Sequence, residues 1–210
     1  MPAFRFERRR FLWLTVIGPV ALARPVLAQG GADVAAPIRR LYAALLAVMQ
    51  AGRATPFTER FNTLAPALQQ AFNLPAILQA AVGLGWSGFA PSQQSELLVA
   101  FQRYTVASWV SNFDNYSGQK LEIAALRSLG SALVLHTEIV KSTGEPSVID
   151  YVMRQAGGAW KVSDVLLDGT ISQVALLRSD FRVTLARGPM ALAADLERKA
   201  TELMGGTSPM

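Results

Sequence analysis

The hydrophobic period of this chain changes twice, and that change limits the fold more than any other feature. Apolar side chains first recur at three- and four-residue steps, as in helices with one buried face. Ile38, Leu41, Tyr42, Leu45, Leu46 and Met49 predict a helix from Val34 to Ala51, capped by Asp33 and stopped by Gly52. Phe61, Leu64, Leu68 and Phe72 predict a second from Phe57 to Phe72, with Pro66 expected to kink it or break it in two. Asn73-Leu74-Pro75 opens a third, short helix, and Gly83 to Gly88 reads as a loop. A fourth helix is expected from Pro91 to Asn115, where Leu97, Leu98, Phe101, Tyr104, Thr105, Trp109 and Phe113 form a broad aromatic face.

From Gln119 the period becomes two. Lys120 to Ile123 alternates. Leu133, Leu135, Thr137 and Ile139 oppose Val134, His136, Glu138 and Val140. Ile149, Tyr151 and Met153 alternate with polar neighbours, and Trp160 to Leu167 forms the last run. Ser142 to Pro146 is a turn and Gly157-Gly158 a tight hairpin signal. Such short links leave no room for crossover helices, so four strands form an antiparallel meander. The helical step then returns with Val174, Leu177, Phe181 and Leu185. Gly188-Pro189 breaks it, and a last helix runs from Met190 to Leu203. The expected class is α+β: a helical lobe packed on a curved four-stranded antiparallel sheet, an arrangement able to enclose an apolar cavity between its layers.

The N-terminal residues are of another kind. Arg5, Arg8, Arg9 and Arg10 precede an apolar stretch, Phe11 to Ala23, of about a dozen residues, short of the roughly 20 that cross a bilayer. Val26-Leu27-Ala28 offers the small residues of a signal peptidase site, with the cut after Ala28. Arg8-Arg9-Arg10-Phe11-Leu12 fits a twin-arginine signal as well as a general secretory one. The expected organisation is a cleaved leader, 1–28, one domain, 29–206, and a frayed tail, 207–210. The leader holds five Arg and one Glu, so removing its +4 from the chain's +5 leaves about +1. Nucleic-acid binding loses its electrostatic basis.

Cysteine is absent and His136 is the one histidine, which removes disulfides, thiol chemistry and the usual zinc or iron ligand sets. No metal site and no cofactor is expected. Glu138 is a possible partner for His136, but a half-exposed strand histidine is the simpler reading. Asp164 and Asp168 lie roughly 13 Å apart at 3.3 Å per strand residue, too far for two-carboxylate chemistry, and Asp168-Gly169-Thr170 reads as a turn with a cap. Arg178 suits either a phosphate headgroup or an exposed ion pair. No G-x-S-x-G stands in the chain, and Gly83-x-Gly85-x-x-Gly88 has no preceding strand, which removes serine-hydrolase and dinucleotide-binding readings.

A chain of motifs runs through the second half: Ile149-x-Tyr151-x-Met153, Gly158-x-Trp160-Lys161-Val162-x-Asp164-Val165, Leu167-x-Gly169-x-x-Ser172, and Arg178-Ser179-Asp180-Phe181 with Gly188 beyond. Phe72, Pro75, Ile77, Gly83, Trp86, Phe101, Tyr104, Phe113 and Tyr116-x-Gly118 precede it in order. This string resembles the MlaC/toluene-tolerance family of periplasmic auxiliary proteins of lipid ABC transporters, and its hopanoid-associated HpnM branch is similar in length and leader. Met153 stands where the family often has Arg, and Thr170 where Val is common.

The resemblance implies a periplasmic lipid carrier and not an enzyme. It would hold the acyl tails of a phospholipid, or of a hopanoid-like lipid, in a hydrophobic pocket. Its partners would be an inner-membrane ABC permease complex and an outer-membrane lipoprotein complex, serving outer-membrane lipid asymmetry. The expected walls are Trp86, Phe101, Tyr104, Trp109, Phe113, Ile149, Tyr151, Val165 and Phe181, with Arg178 for the headgroup. The rival is a small α+β enzyme of the nuclear-transport-factor-like kind using His136 and Asp164. A third reading is an adaptor that binds transporter partners without lipid.

Overall fold

The structure is a computed structural model that describes residues 33–141 and 144–205. The leader with its cut after Ala28, the tail 207–210 and the Ser142-Thr143 part of one turn lie outside the described residues. The helices are α1 (Ala36–Ala51), α2 (Phe57–Ala71), α3 (Leu74–Val82), α4 (Pro91–Asn112), α5 (Gln173–Leu185) and α6 (Pro189–Met204). The strands are β1 (Lys120–Leu129), β2 (Ala132–Val140), β3 (Ser147–Ala156), β4 (Ala159–Leu167) and β5 (Ile171–Ser172). They pair in sequence order, all antiparallel, as one open sheet. The class is the expected α+β, with a fifth strand where four were expected. β5 is two residues long, too short to show a period, and pairs through Leu166–Ser172 and Leu167–Ile171.

Other departures have local causes. α2 runs unbroken through Pro66. Proline removes one helical hydrogen bond at a cost of about 3 kcal/mol or more, and the flanking Leu64 and Leu68, both fully buried, offset it. Gly83–Gly88 is a 3-10 segment and not a plain loop. β1 extends six residues past Ile123, because Ala124 bulges between the pairs Ile123–Thr137 and Ala125–His136 and shifts the alternation. A second bulge at Ser163 separates Val152–Asp164 from Met153–Val162. Bulges bend the strand that carries them, and these two curve the sheet. The Gly157-Gly158 hairpin needs glycine, since both residues take positive φ, 57° and 78°.

One sheet face carries Leu135, Tyr151, Met153, Val162 and Val165 against Leu41, Leu68, Leu78, Leu97, Phe101 and Leu196 of the helices, in one buried cluster. The other face holds a small cluster of Ala132, Val134 and Val152 with Leu166. Beside it His136 Nδ1 meets Asp150 Oδ1 at 2.6 Å, and Arg127 reaches the same carboxylate at 3.3 Å. The α2–α3 junction is pinned to β4: Phe72 bridges Val162, and the Asn73 amide donates to the Val162 carbonyl at 2.9 Å. The Asn73 side chain in turn caps α3.

α1 is tied to the sheet by a buried relay. The Tyr42 hydroxyl donates to Thr137 Oγ1 at 2.6 Å, and Thr137 donates to the Ile149 carbonyl at 2.5 Å. The Tyr151 ring stands edge-on to Tyr42 at 6.2 Å, and its buried hydroxyl has no hydrogen-bond partner among the described residues. Burial pushes the Tyr42 phenol up, against the pull of its bond to Thr137. Burial, with the nearby Tyr42 oxygen, pushes Tyr151 well above the ordinary value. A native group with a raised pKa stabilises the fold below its unfolded pKa, and that contribution is lost as pH rises past it. The tyrosine contribution to stability in urea should therefore be full below pH 10.0, the ordinary tyrosine value, and stability should fall above it. Tyr151→Phe removes an unpaired buried hydroxyl and should hold or raise stability by up to about 1–3 kcal/mol. A loss of more than about 1 kcal/mol in urea unfolding would contradict that account.

Candidate functional site

A cavity of about 840 Å³ lies between the sheet and the helices and is partly open to solvent. α4 supplies its longest wall. Phe101, Tyr104, Thr105, Ser108, Trp109, Asn112 and Phe113 line it at helical steps, a stripe of roughly 18 Å at 1.5 Å per residue. Ile149, Val165 and Leu167 of β3 and β4 face that stripe. Phe72, Leu74 and Ile77 close one side from the α2–α3 junction, and Val174 and Leu177 of α5 close another. Charged groups gather where α5 and α6 meet the cavity: Asp180, Arg198, Lys199 and Glu202.

The aromatic walls brace one another. Trp109 stacks on Phe113 with ring centroids 5.4 Å apart, and Phe72 meets Trp109 edge-on at the same distance. Phe72 also meets Tyr151 edge-on at 6.2 Å. Rings in offset or edge contact add about 0.5–1.5 kcal/mol beyond burial. They hold α4 off the sheet, because their bulk fills the junction and leaves the neighbouring space open.

The structure brings Phe101, Tyr104, Trp109, Phe113, Ile149 and Val165 together on this cavity. It places the other expected wall residues elsewhere. Tyr151 lies one layer deeper, behind Phe72, and Phe181 stands behind Phe101 at 6.2 Å. Trp86 sits half-buried on the 3-10 segment against Phe89. Arg178 turns to α3 and donates from Nε and Nη2 to the Ala80 carbonyl at 3.3 and 2.7 Å. There it satisfies one of the carbonyls that the last helical turn leaves open. Sequence reasoning did not assign Phe72, Leu74, Ile77, Leu167, Val174 or Leu177 to the walls. Val174 and Leu177 were visible as the apolar face of α5. The α6 charges carried no signal, because an Arg-Lys pair followed by Glu reads as an ordinary solvated face.

Asp164 also lines the cavity, but its oxygens are committed to structure. Oδ2 accepts from the Ser172 hydroxyl at 2.5 Å, and Oδ1 from the Val165 and Val174 amides at 2.8 and 3.0 Å. It thereby joins β4 to the start of α5, where Ser172 is the N-cap. His136 is engaged by Asp150 and lies 3.5 Å from Glu138 at its other nitrogen. No hydrogen bond or ion pair links His136 to Asp164 among the described residues. Nor does any group of three or more His, Asp or Glu stand there as a metal-ligand set.

Comparison with known proteins places this architecture. The family model for MlaC protein matches residues 39–198. The chain belongs to the MlaC family. One solved structure similar to it is a phospholipid-binding protein from Ralstonia solanacearum in complex with a phospholipid. The two share 20% identity at a TM-score of 0.70, over 82% of this chain and 99% of that one. Comparison with curated proteins finds no match. In this MlaC-family chain the matched region runs from within α1 into α6 and takes in the cavity lining except Lys199, Glu202 and Leu203.

The Asp164 junction yields a prediction about the fold. Asp164→Ala removes an acceptor from three donors at the base of α5 and should cost about 2–3 kcal/mol of stability. A variant as stable as the parent in urea unfolding would contradict the clamp.

Proposed function

We propose that this MlaC-family chain is a carrier that holds the acyl tails of a phospholipid in the cavity between sheet and helices. The observation that carries this reading is the 840 Å³ space walled by Phe72, Phe101, Trp109, Phe113 and Val165. Taking a methylene as similar in volume to a water, about 30 Å³, it accepts roughly 28 such groups. At about 0.8 kcal/mol per buried methylene, their exposure to water would cost on the order of 20 kcal/mol. Tails can pass from a bilayer to such walls at little cost, yet they are not lost to water on the way. No catalytic group is required. The Ralstonia solanacearum protein of the same fold, in complex with a phospholipid, supports the choice of ligand class.

The carrier is periplasmic in this reading. The basic and apolar leader with its small-residue site at Ala28 supports export, by the twin-arginine or the general secretory route. The wider role is to ferry lipid between an inner-membrane ABC permease complex and an outer-membrane lipoprotein complex. No helix of the described residues is long and apolar enough to cross a membrane. The rival enzyme finds no support in the geometry, since His136 and Asp164 are each held by other partners.

Processed protein should begin at Gln29 on N-terminal sequencing, and its organic extract should contain phospholipid by mass spectrometry. Val174→Trp, at a half-buried wall position, should fill the space and lower the bound lipid at least severalfold, while His136→Ala leaves it unchanged. Lipid-free parent protein, or full loading of Val174→Trp, would count against this reading.

A further inference from the structure

We infer that the charged rim of the cavity favours a lipid whose headgroup carries an ammonium group over one that is only negative. This inference rests on the carrier reading. The rim is built from Asp180 on α5 and Arg198, Lys199 and Glu202 on α6. Both cations are already paired. Arg198 donates to Glu202 at 2.5 Å and to Asp195 at 2.6 Å, and Lys199 stands 2.9 Å from the other Asp195 oxygen. The hydrogen bonds it donates to Asp195 and then to Glu202 hold the Arg198 guanidinium above its ordinary value. A phosphate arriving at the rim therefore finds no unclaimed cation there.

Asp180 differs. It is exposed, lines the cavity and makes no ion pair among the described residues. Side chains interact along a helix at three- and four-residue steps, and those positions hold Leu176, Leu177, Val183 and Thr184, none of them basic. Arg182, two residues on, faces away from it. Arg178 is bound to the Ala80 carbonyl, and Arg103 of α4 is paired with Glu197 at 2.7 Å. With Asp195 included, the rim carries three carboxylates against two cations. A zwitterionic headgroup places its ammonium on Asp180 and needs no cation of the rim to offset its phosphate. A purely anionic one meets Asp180 with nothing to offset it.

Exposed pairs of this kind are worth up to about 1 kcal/mol, or roughly fivefold in preference. The test mixes delipidated protein at low ionic strength with vesicles of equal phosphatidylethanolamine and phosphatidylglycerol bearing the same acyl chains. Mass spectrometry of the recovered protein gives the ratio taken up. The ethanolamine lipid should be enriched about threefold to fivefold. The ratio should fall toward unity in Asp180→Asn and turn in favour of the glycerol lipid in Asp180→Lys. Uptake of both lipids without preference, or a preference unchanged in Asp180→Asn, overturns this inference alone. Uptake of neither lipid overturns the carrier reading and this inference with it.

Discussion

A protein interior cannot keep a dry space of 840 Å³ closed. At about 24 cal/mol per Å³ of void, such a hole would cost on the order of 20 kcal/mol, more than the 5–15 kcal/mol that holds a domain together. Native cores avoid this by close packing. The space between the sheet and α4 therefore has to admit solvent or be filled by something the chain does not itself supply. Apolar walls make water a poor occupant, and alkyl tails a good one. Every other feature of the site follows from the need to hold two layers apart without letting them collapse.

The chain meets that need at the edges of the gap. Phe72 and Asn73 fasten the α2–α3 junction to β4, and Tyr42 and Thr137 fasten α1 to β2. Asp164, two residues further along β4, fastens the start of α5 to that strand. Between these fixed points large rings lean on one another, Phe113 on Trp109, Trp109 on Phe72, and Phe72 on Tyr151 of β3. The polar bonds that define the cavity thus lie around it, and its middle is left to Phe101, Val165 and Ile149. Such an arrangement holds a ligand by shape and apolar area, with charge at the α5–α6 end.

Much of this was legible in the sequence, because periodicity reports which face of an element is apolar. The alternation of Ile149, Tyr151 and Met153 gave their common face, and the stripe from Phe101 to Phe113 gave the helix that opposes it. Periodicity does not report depth. Tyr151 shares its face with Ile149, yet Phe72 covers it and does not cover Ile149. Phe181 shares the α5 face with Leu177 and falls behind Phe101 in the same way. The bulge at Ala124 hid half of β1 by shifting its phase, and two-residue β5 was below the length at which a period exists. The sequence shows the charge of Arg178, while its place is set by the open carbonyl of a helix distant in sequence.

The central claim concerns where the tails lie. The direct measurement loads the processed protein with a phospholipid carrying a photoreactive group in its acyl chain, irradiates it, and maps the modified peptides by mass spectrometry. Adducts on the α4 stripe and on the facing residues of β4 are the result this account requires. Adducts confined to the opposite sheet face, around Val134 and Val152, would contradict it.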